Sequence, residues 1–293
     1  MTVRPTAVEQ PAVSICIPVY QGAAHIGRAL RSAVDQTFGD VEIVVRDNGS
    51  TDGTSDVVRS FDDPRIRLER SKHTVPLPEN WNRTVALCHA PLIKLVCADD
   101  ILAPDCLARP IPTMQDPTTA LSAGRTDMID EYGRVIAGNC GVRGLLGPHA
   151  PGDAARKIVQ HGGNPIGPPV SVLFRRATFD AAGGFDPGRV FLMDLDLWAR
   201  LLAHGRLHGI ADTVAGFRIS TATVSGRAGH AEFRSQRSFS TEMARRWQVP
   251  RQDVVRGTIG AYTALARRLG LIAITRWRAQ RPARRPPELS PGP

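Results

Sequence analysis

The 293-residue chain has no uncharged apolar run of about 18 residues, so no segment is expected to span a membrane. Its opening, MTVRPTAVEQPA, lacks the apolar stretch of a secretory signal. Cys16, Cys88, Cys97, Cys106 and Cys140 form no C-x-x-C pair, which argues against zinc or redox motifs and leaves reduced thiols in a cytoplasmic protein as the expectation. His25, His73, His89, His161 and His230 show no metal-ligand spacing and read as solvent or core histidines. No internal repeat is present. Basic character is also missing where a nucleic-acid groove would need it. From residue 251 to 293 nine arginines face only Asp253 and Glu288, and they supply +7 of the net charge of +9. The first 250 residues are close to neutral, and no specific nucleic-acid partner is expected.

What is there is an alternation of apolar runs with helical spacings. VSICIPVY (13–20) reads as a strand, followed by a helix through Ile26, Leu30 and Val34. EIVVRDNGS (42–50) is a second strand ending in a turn, and 52–61 a helix with Asp52 as N-cap. A third strand at 65–71, a helix at 79–90 and a buried strand at 91–100 ending in Asp99 and Asp100 complete the series. This order predicts a mostly parallel sheet covered by helices on both faces. Beyond residue 117 the pattern is mixed: strands near 119–128, 134–138 and 170–176, helices near 151–161 and from Leu195, and a helical stretch at 252–279 before a Pro-rich tail expected to be disordered.

In such sheets ligands bind beyond the carboxyl ends of the strands. Two adjacent aspartates there repel unless a cation or hydrogen-bond donors offset them, and Mg²⁺ or Mn²⁺ prefers carboxylate oxygens. Capping of the next turn explains Asp99 and Asp100 equally well. Asp47, in DNGSTDGT, fits either a base or ribose contact or a structural turn. Asp194 and Asp196 precede an apolar helix and fit an N-cap with a first-turn acid. Trp81 and Trp198 read as core before they read as sugar platforms.

Taken in order, VSICIPVYQG, SAVDQTFGDVEIVVRDNGSTDGT, ENWNRTVALCHAPLIKLVCADD, SVLFRRATFDAAGGFD and MDLDLWARLL resemble the family 2 glycosyltransferases over about residues 13–220. The resemblance implies an α/β fold of the GT-A type: a Rossmann-like, mostly parallel central sheet flanked by helices, a mixed acceptor-side half and a C-terminal helical extension. It divides the chain into a leader (1–12), a nucleotide-sugar-binding half (13–117), an acceptor-binding and catalytic half (118–222), the extension (223–280) and the tail (281–293). It also implies an inverting transfer of a hexosyl group from a nucleotide-sugar donor to a hydroxyl of a glycan, a lipid-linked or a small-molecule acceptor, as in polysaccharide biosynthesis. Pro18, Val19, Tyr20 and Asp47 would line the nucleotide pocket, and Asp99 and Asp100 would hold a divalent Mg or Mn ion on the diphosphate. Arg218 would stand near the phosphates, Asp194 would be the general base, and Gly183, Gly184, Phe185 and Trp198 would lie on the acceptor side.

Three positions depart from the family pattern. Cys97 replaces the first acid of Asp-x-Asp, Met193 stands where Glu is usual and leaves Asp196 as a competing base, and Gln21 replaces Asn. No Gln-x-x-Arg-Trp is found, which disfavours a processive synthase. The rival readings are a catalytically degenerate binding protein, using its basic end on membrane or nucleic acid, and a nucleotidyltransferase. Residues 252–285 read either as a helix packed on the catalytic domain with a solvated basic face or as a peripheral contact with the inner face of a membrane.

Overall fold

The computed structural model describes residues 10–219, 230–263 and 270. β1 (Val13–Val19), β2 (Val41–Asp47), β3 (Ile66–Arg70) and β4 (Leu92–Leu95) are all parallel, in the spatial order β3-β2-β1-β4. α1 (Ile26–Val34), α2 (Thr54–Arg59) and α3 (Leu77–Ala86) make the crossovers. This is the parallel half that the apolar runs predict. The order reverses at β1, so the crevice between the ends of β1 and β4 is the topological switch point.

The sheet continues through β9 (Val172–Arg175), β6 (Thr119–Ile129), β10 (Arg206–Arg218) and β5 (Ile101–Leu102). Here β6 and β10 are parallel while β9 and β5 run against their neighbours; β7 (Val135–Cys140) pairs with β6, and β8 (Gly147–His149) with β10. The mixed second half is therefore part of the same ten-stranded sheet. α4 (Pro151–His161), α5 (Arg176–Ala181), α6 (Met193–Leu201) and α7 (His230–Arg246) follow among the described residues, and residues 251–263 are also helical.

Alternation of side chains builds a core on each face. Cys16, Val44, Ile93 and Leu95 point into one cluster with Trp81, Phe174, Phe185 and Trp198; Ile15, Ile17, Ile43, Val45 and Val96 point into the other with Ile26 and Leu30. The helices of the C-terminal extension close the first cluster. Phe239 and Met243 of α7 are buried there, and Glu242 pairs with Arg189. Asp253 accepts from Arg156 Nε at 2.6 Å and from Gln160 at 2.7 Å, both on α4. Helix 251–263 meets the end of α4 backbone to backbone: a Cβ at Gly257 would lie 1.8 Å from the Val159 carbonyl, and one at Gly260 2.3 Å from that of His161. The packed-helix reading holds for 251–263; residues 264–269 and 271–293, including the rest of the expected helix and the tail, lie outside the described residues.

The end of the sheet away from the crevice is fastened by Glu42, which accepts from the Ser14 hydroxyl and the His89 N–H at 2.5 Å each and from Arg67 at 3.2 Å. Burial raises its pKa, but the hydrogen bonds from Ser14 and His89 outweigh it and bring the value from 4.5 to about 2. A carboxyl depressed on folding gives stability that is present above its unfolded pKa and lost as pH falls through the folded one. Glu42→Gln is accordingly expected to cost about 1–2 kcal/mol at neutral pH, after discount for solvent at this edge, and almost nothing near pH 2. Urea midpoints measured across pH 2–7 check this.

Candidate functional site

Two loops are laced together above the carboxyl ends of β1 and β2. The Gln21 side chain exchanges hydrogen bonds with Thr51, its N–H donates to Ser50 Oγ, the Gly22 N–H donates to Thr54 Oγ1, and the Ala23 N–H donates to Asp52 Oδ2. Gln21 stands at φ 51°, held there by these partners. The amide that replaces the usual Asn thus carries a structural load. Asp52 also accepts from the Thr54 N–H, although the helix begins at Thr54 with Gly53, not Asp52, at the cap position.

Asp47 is fully buried; its oxygens accept from the Ser50 N–H and the Ser55 hydroxyl, with Arg70 Nε 3.7 Å away. Its carboxylate serves the turn in this structure. The side chains of Pro18 and Val19 are buried in the sheet, and the Val19 carbonyl accepts from the Asn48 N–H, so of the three residues only Tyr20, about half exposed, offers a side chain at the crevice.

Asp99 and Asp100 do not end a strand as the apolar run suggests. β4 stops at Leu95, and the chain turns, with the Asp100 N–H on the Cys97 carbonyl, before pairing again as β5. The turn gathers ligand atoms of Cys97, Asp99 and Asp100 within 4.8 Å of one another. Burial and then the Asp99 charge hold the Asp100 carboxyl well above its ordinary range; burial also raises Asp99 and, together with both aspartates, the Cys97 thiol. Asp100 Oδ1 accepts from the Arg218 N–H at 3.0 Å, while its buried Oδ2 has no partner among the described residues. Buried, mutually repelling acids with an unused oxygen fit a hard divalent cation, with the two carboxylates as the hard ligands and the thiol as a poor one.

Arg218 reaches this turn from the end of β10. Its guanidinium donates to the carbonyls of Asp99 and Asp130, and its buried Nη2 has no partner among the described residues. His25, at the start of α1, also belongs here, although sequence reasoning passed over it. It lies 3.7 Å from Glu131, feels the charges of Arg218 and Asp99, and has a buried Nδ1 with no partner among the described residues; burial lowers its pKa, so it is neutral at pH 7. The one available signal was its place in the loop beyond β1. Among the described residues three polar atoms, on His25, Asp100 and Arg218, are thus left unsatisfied around one turn, an arrangement costly without a polar ligand.

Asp194 stands in the first turn of α6, near enough to this cluster for its charge to be among those raising the Cys97 thiol. Asn164 Nδ2 donates to Asp194 Oδ2 at 3.0 Å, while Asn164 Oδ1 accepts from the N–H groups of Ile166 and Gly167. Asn164 lies in GGNPIGPP, which reads as an ordinary turn, so nothing in the sequence singled it out. Asp196 is differently placed. It is buried, bound by Arg200 through Nε at 2.8 Å and Nη2 at 2.7 Å and by Arg189 at 3.2 Å, a structural ion-pair node linked through Arg189 to Glu242 of α7. Met193 is buried in the core.

On the expected acceptor side, Gly183 and Gly184 have φ of 79° and 71°. The Asn82 side chain pairs with both backbone groups of Phe185, and a Cβ at Gly184 would lie 2.6 Å from Asn82 Oδ1, so this loop is clipped to α3. Two of the residues expected on this side are core side chains, the reading that the pattern around Trp198 favours. Phe185 and Trp198 are 1% and 0% exposed. Phe185 packs edge-on to Trp81, and the Trp198 indole donates to the Gly167 carbonyl, so both support the site from behind and neither presents a ring to an acceptor.

The model of the family described as glycosyl transferase family 2 matches residues 14–181. The chain belongs to that family. It is 31% identical over 227 residues to the uncharacterized protein MT1568 of Mycobacterium tuberculosis, covering 74% of this chain and 70% of that protein. It is 31% identical over 224 residues to the succinoglycan biosynthesis protein ExoU of Rhizobium meliloti, covering 70% and 61%. The fold matches S. aureus TarS 1-349 in complex with UDP-GlcNAc, with a TM-score of 0.65, 14% identity and coverage of 85% and 71%. It also matches the mannosyltransferase PcManGT of Pyrobaculum calidifontis in complex with GDP-Man and Mn²⁺, with a TM-score of 0.57, 20% identity and coverage of 94% and 77%. This glycosyltransferase therefore has a GT-A fold, as its motifs imply.

Proposed function

We propose that the protein is an inverting glycosyltransferase that moves a hexosyl group from a nucleotide sugar to an acceptor hydroxyl, with Asp194 as general base and Asp99 and Asp100 as ligands of Mg²⁺ or Mn²⁺. The observation that carries the reading is the division of labour at the start of α6: Asp196 is locked by two arginines, while Asp194, oriented by Asn164, shares a field with the Cys97–Asp99–Asp100 turn. A cation bound there would offset charge on the leaving diphosphate. Arg218 and neutral His25 add hydrogen-bond donors beside it, and Tyr20 offers a face to the nucleotide. Asp194 takes the acceptor proton as the hydroxyl attacks the anomeric carbon from the side opposite the diphosphate. Carboxylates on separate elements, the 97–100 turn and α6, suit that opposed geometry.

The ExoU relationship supports a glycan or lipid-linked acceptor in polysaccharide synthesis over a small molecule. Its five unpaired cysteines fit a reducing, cytoplasmic setting. The test is thermal shift with a panel of UDP- and GDP-sugars with and without Mn²⁺, followed by the anomeric configuration of the product. Stabilisation by one donor only with metal, and an inverted product, are expected; metal-independent binding or a retained configuration would overturn the reading.

A further inference from the structure

Helix 251–263 has two faces with opposite fates. The inner one, through Asp253, Gly257 and Ala261, is buried against α4, and the three glycines Gly162, Gly257 and Gly260 let the two backbones touch. The outer one carries Val255, Ile259 and Tyr262, which are 61%, 62% and 54% exposed. Their spacing of four and three residues puts them on a single stripe. Arg251 begins that stripe one turn earlier, Arg256 flanks it, and both are exposed, as are Arg245 and Arg246 just before. The only acid between 251 and 263, Asp253, is turned inward and neutralised by Arg156. The outer face is therefore apolar and purely cationic.

We propose that this face docks on an anionic lipid surface, with Val255, Ile259 and Tyr262 entering the headgroup boundary and the arginines meeting lipid phosphates. The inference goes beyond the catalytic reading and does not depend on it. Charge complementarity selects the occupant. A nucleic-acid site would need a basic groove, which the near-neutral first 250 residues do not supply, whereas apolar insertion combined with arginine is the recipe of interfacial helices. The sequence beyond it continues in the same sense, with seven further arginines against one acid, Glu288, from residue 264 to 293. Among the described residues no helix is long and apolar enough to cross a membrane, so contact through this helix would be peripheral. Packing on the domain and lipid contact, alternatives in the sequence, belong here to opposite faces of one helix.

The experiment is co-sedimentation of the full chain with phosphatidylglycerol-containing and with pure phosphatidylcholine vesicles, for the native protein and for the Val255→Ser, Ile259→Ser double variant. These side chains are exposed, so the variant is expected to keep its melting temperature and its donor binding. Expected are binding to anionic vesicles alone and at least about tenfold weaker binding by the variant. Native protein that ignores anionic vesicles, or a variant that binds them as well as native, would overturn the proposal. A native dimer that the variant loses in size-exclusion chromatography, with no vesicle binding, would assign the stripe to a second copy of the chain.

Discussion

Asp194→Ala is expected to lower kcat by about 100- to 10,000-fold while leaving donor affinity within about twofold of native, because the general base acts on the acceptor and not on the nucleotide. Asn164→Ala should follow in the same direction and less far. Loss of the 3.0 Å hydrogen bond removes the partner of Oδ2 while Oδ1 keeps the Leu195 N–H, so the carboxylate is held less well and kcat is expected to fall about tenfold while donor KM stays put. The contrasting variant is Asp196→Ala. It strands Arg189 and Arg200 at a buried node and is expected to cost about 3 kcal/mol of stability, read as a fall in Tm. Stopped assays with saturating donor, isothermal titration of donor and a thermal melt separate the three outcomes. Native turnover by Asp194→Ala would remove it as the base.

The parallel half of the fold was legible because its strands are continuous apolar runs between turn clusters. The same simplicity misplaced the end of β4: VCADD extends the run in hydropathy, but the backbone leaves the strand after Leu95 to form the turn that gathers the acids. β10 was missed for the opposite reason. RLHGIADTVAGFR is broken by glycines and polar residues, and its pairing with β6 shifts register at Arg206/Leu207, Gly209/Thr213 and Thr213/Ala215, so no clean alternation survives. α7 lies inside the helical extension (223–280) that the resemblance implies, without a clear apolar period of its own. Its sequence HAEFRSQRSFSTEMARR is mostly polar, and it is anchored through Phe239 and Met243. At the site, the acids could be read from ordered motifs, whereas Asn164 and His25 matter only through partners far along the chain, Asp194 and Glu131, which no local pattern encodes.

The largest expected effect on donor binding is at Asp99. Asp99→Ala should weaken Mn²⁺-dependent donor binding by at least about 100-fold, because it removes the more accessible of the two carboxylates at the turn and leaves Asp100, which is wholly buried and shares its Oδ1 with the Arg218 N–H. Asp100→Asn keeps an acceptor for that N–H and removes one buried charge, so it is expected to fold well, melt no lower without metal than the native protein, and bind metal less tightly. Cys97→Ala supplies the control for the departure from Asp-x-Asp. Burial and the flanking aspartates push the thiol pKa up, the thiol stays protonated, and a protonated sulfur contributes little to a hard cation. Its donor binding should therefore stay within about threefold of native. The sign of the pH dependence follows from the same crowding: with both carboxyls raised above the ordinary range, ionisation costs the metal-free protein stability as pH rises, and protons displace a cation as pH falls. Metal should accordingly raise Tm more at pH 8 than at pH 5. Equal shifts at the two pH values would show that no proton competes with the ion at the aspartate pair, and a Cys97→Ala loss as deep as that of Asp99→Ala would show that the thiol carries the ion as well.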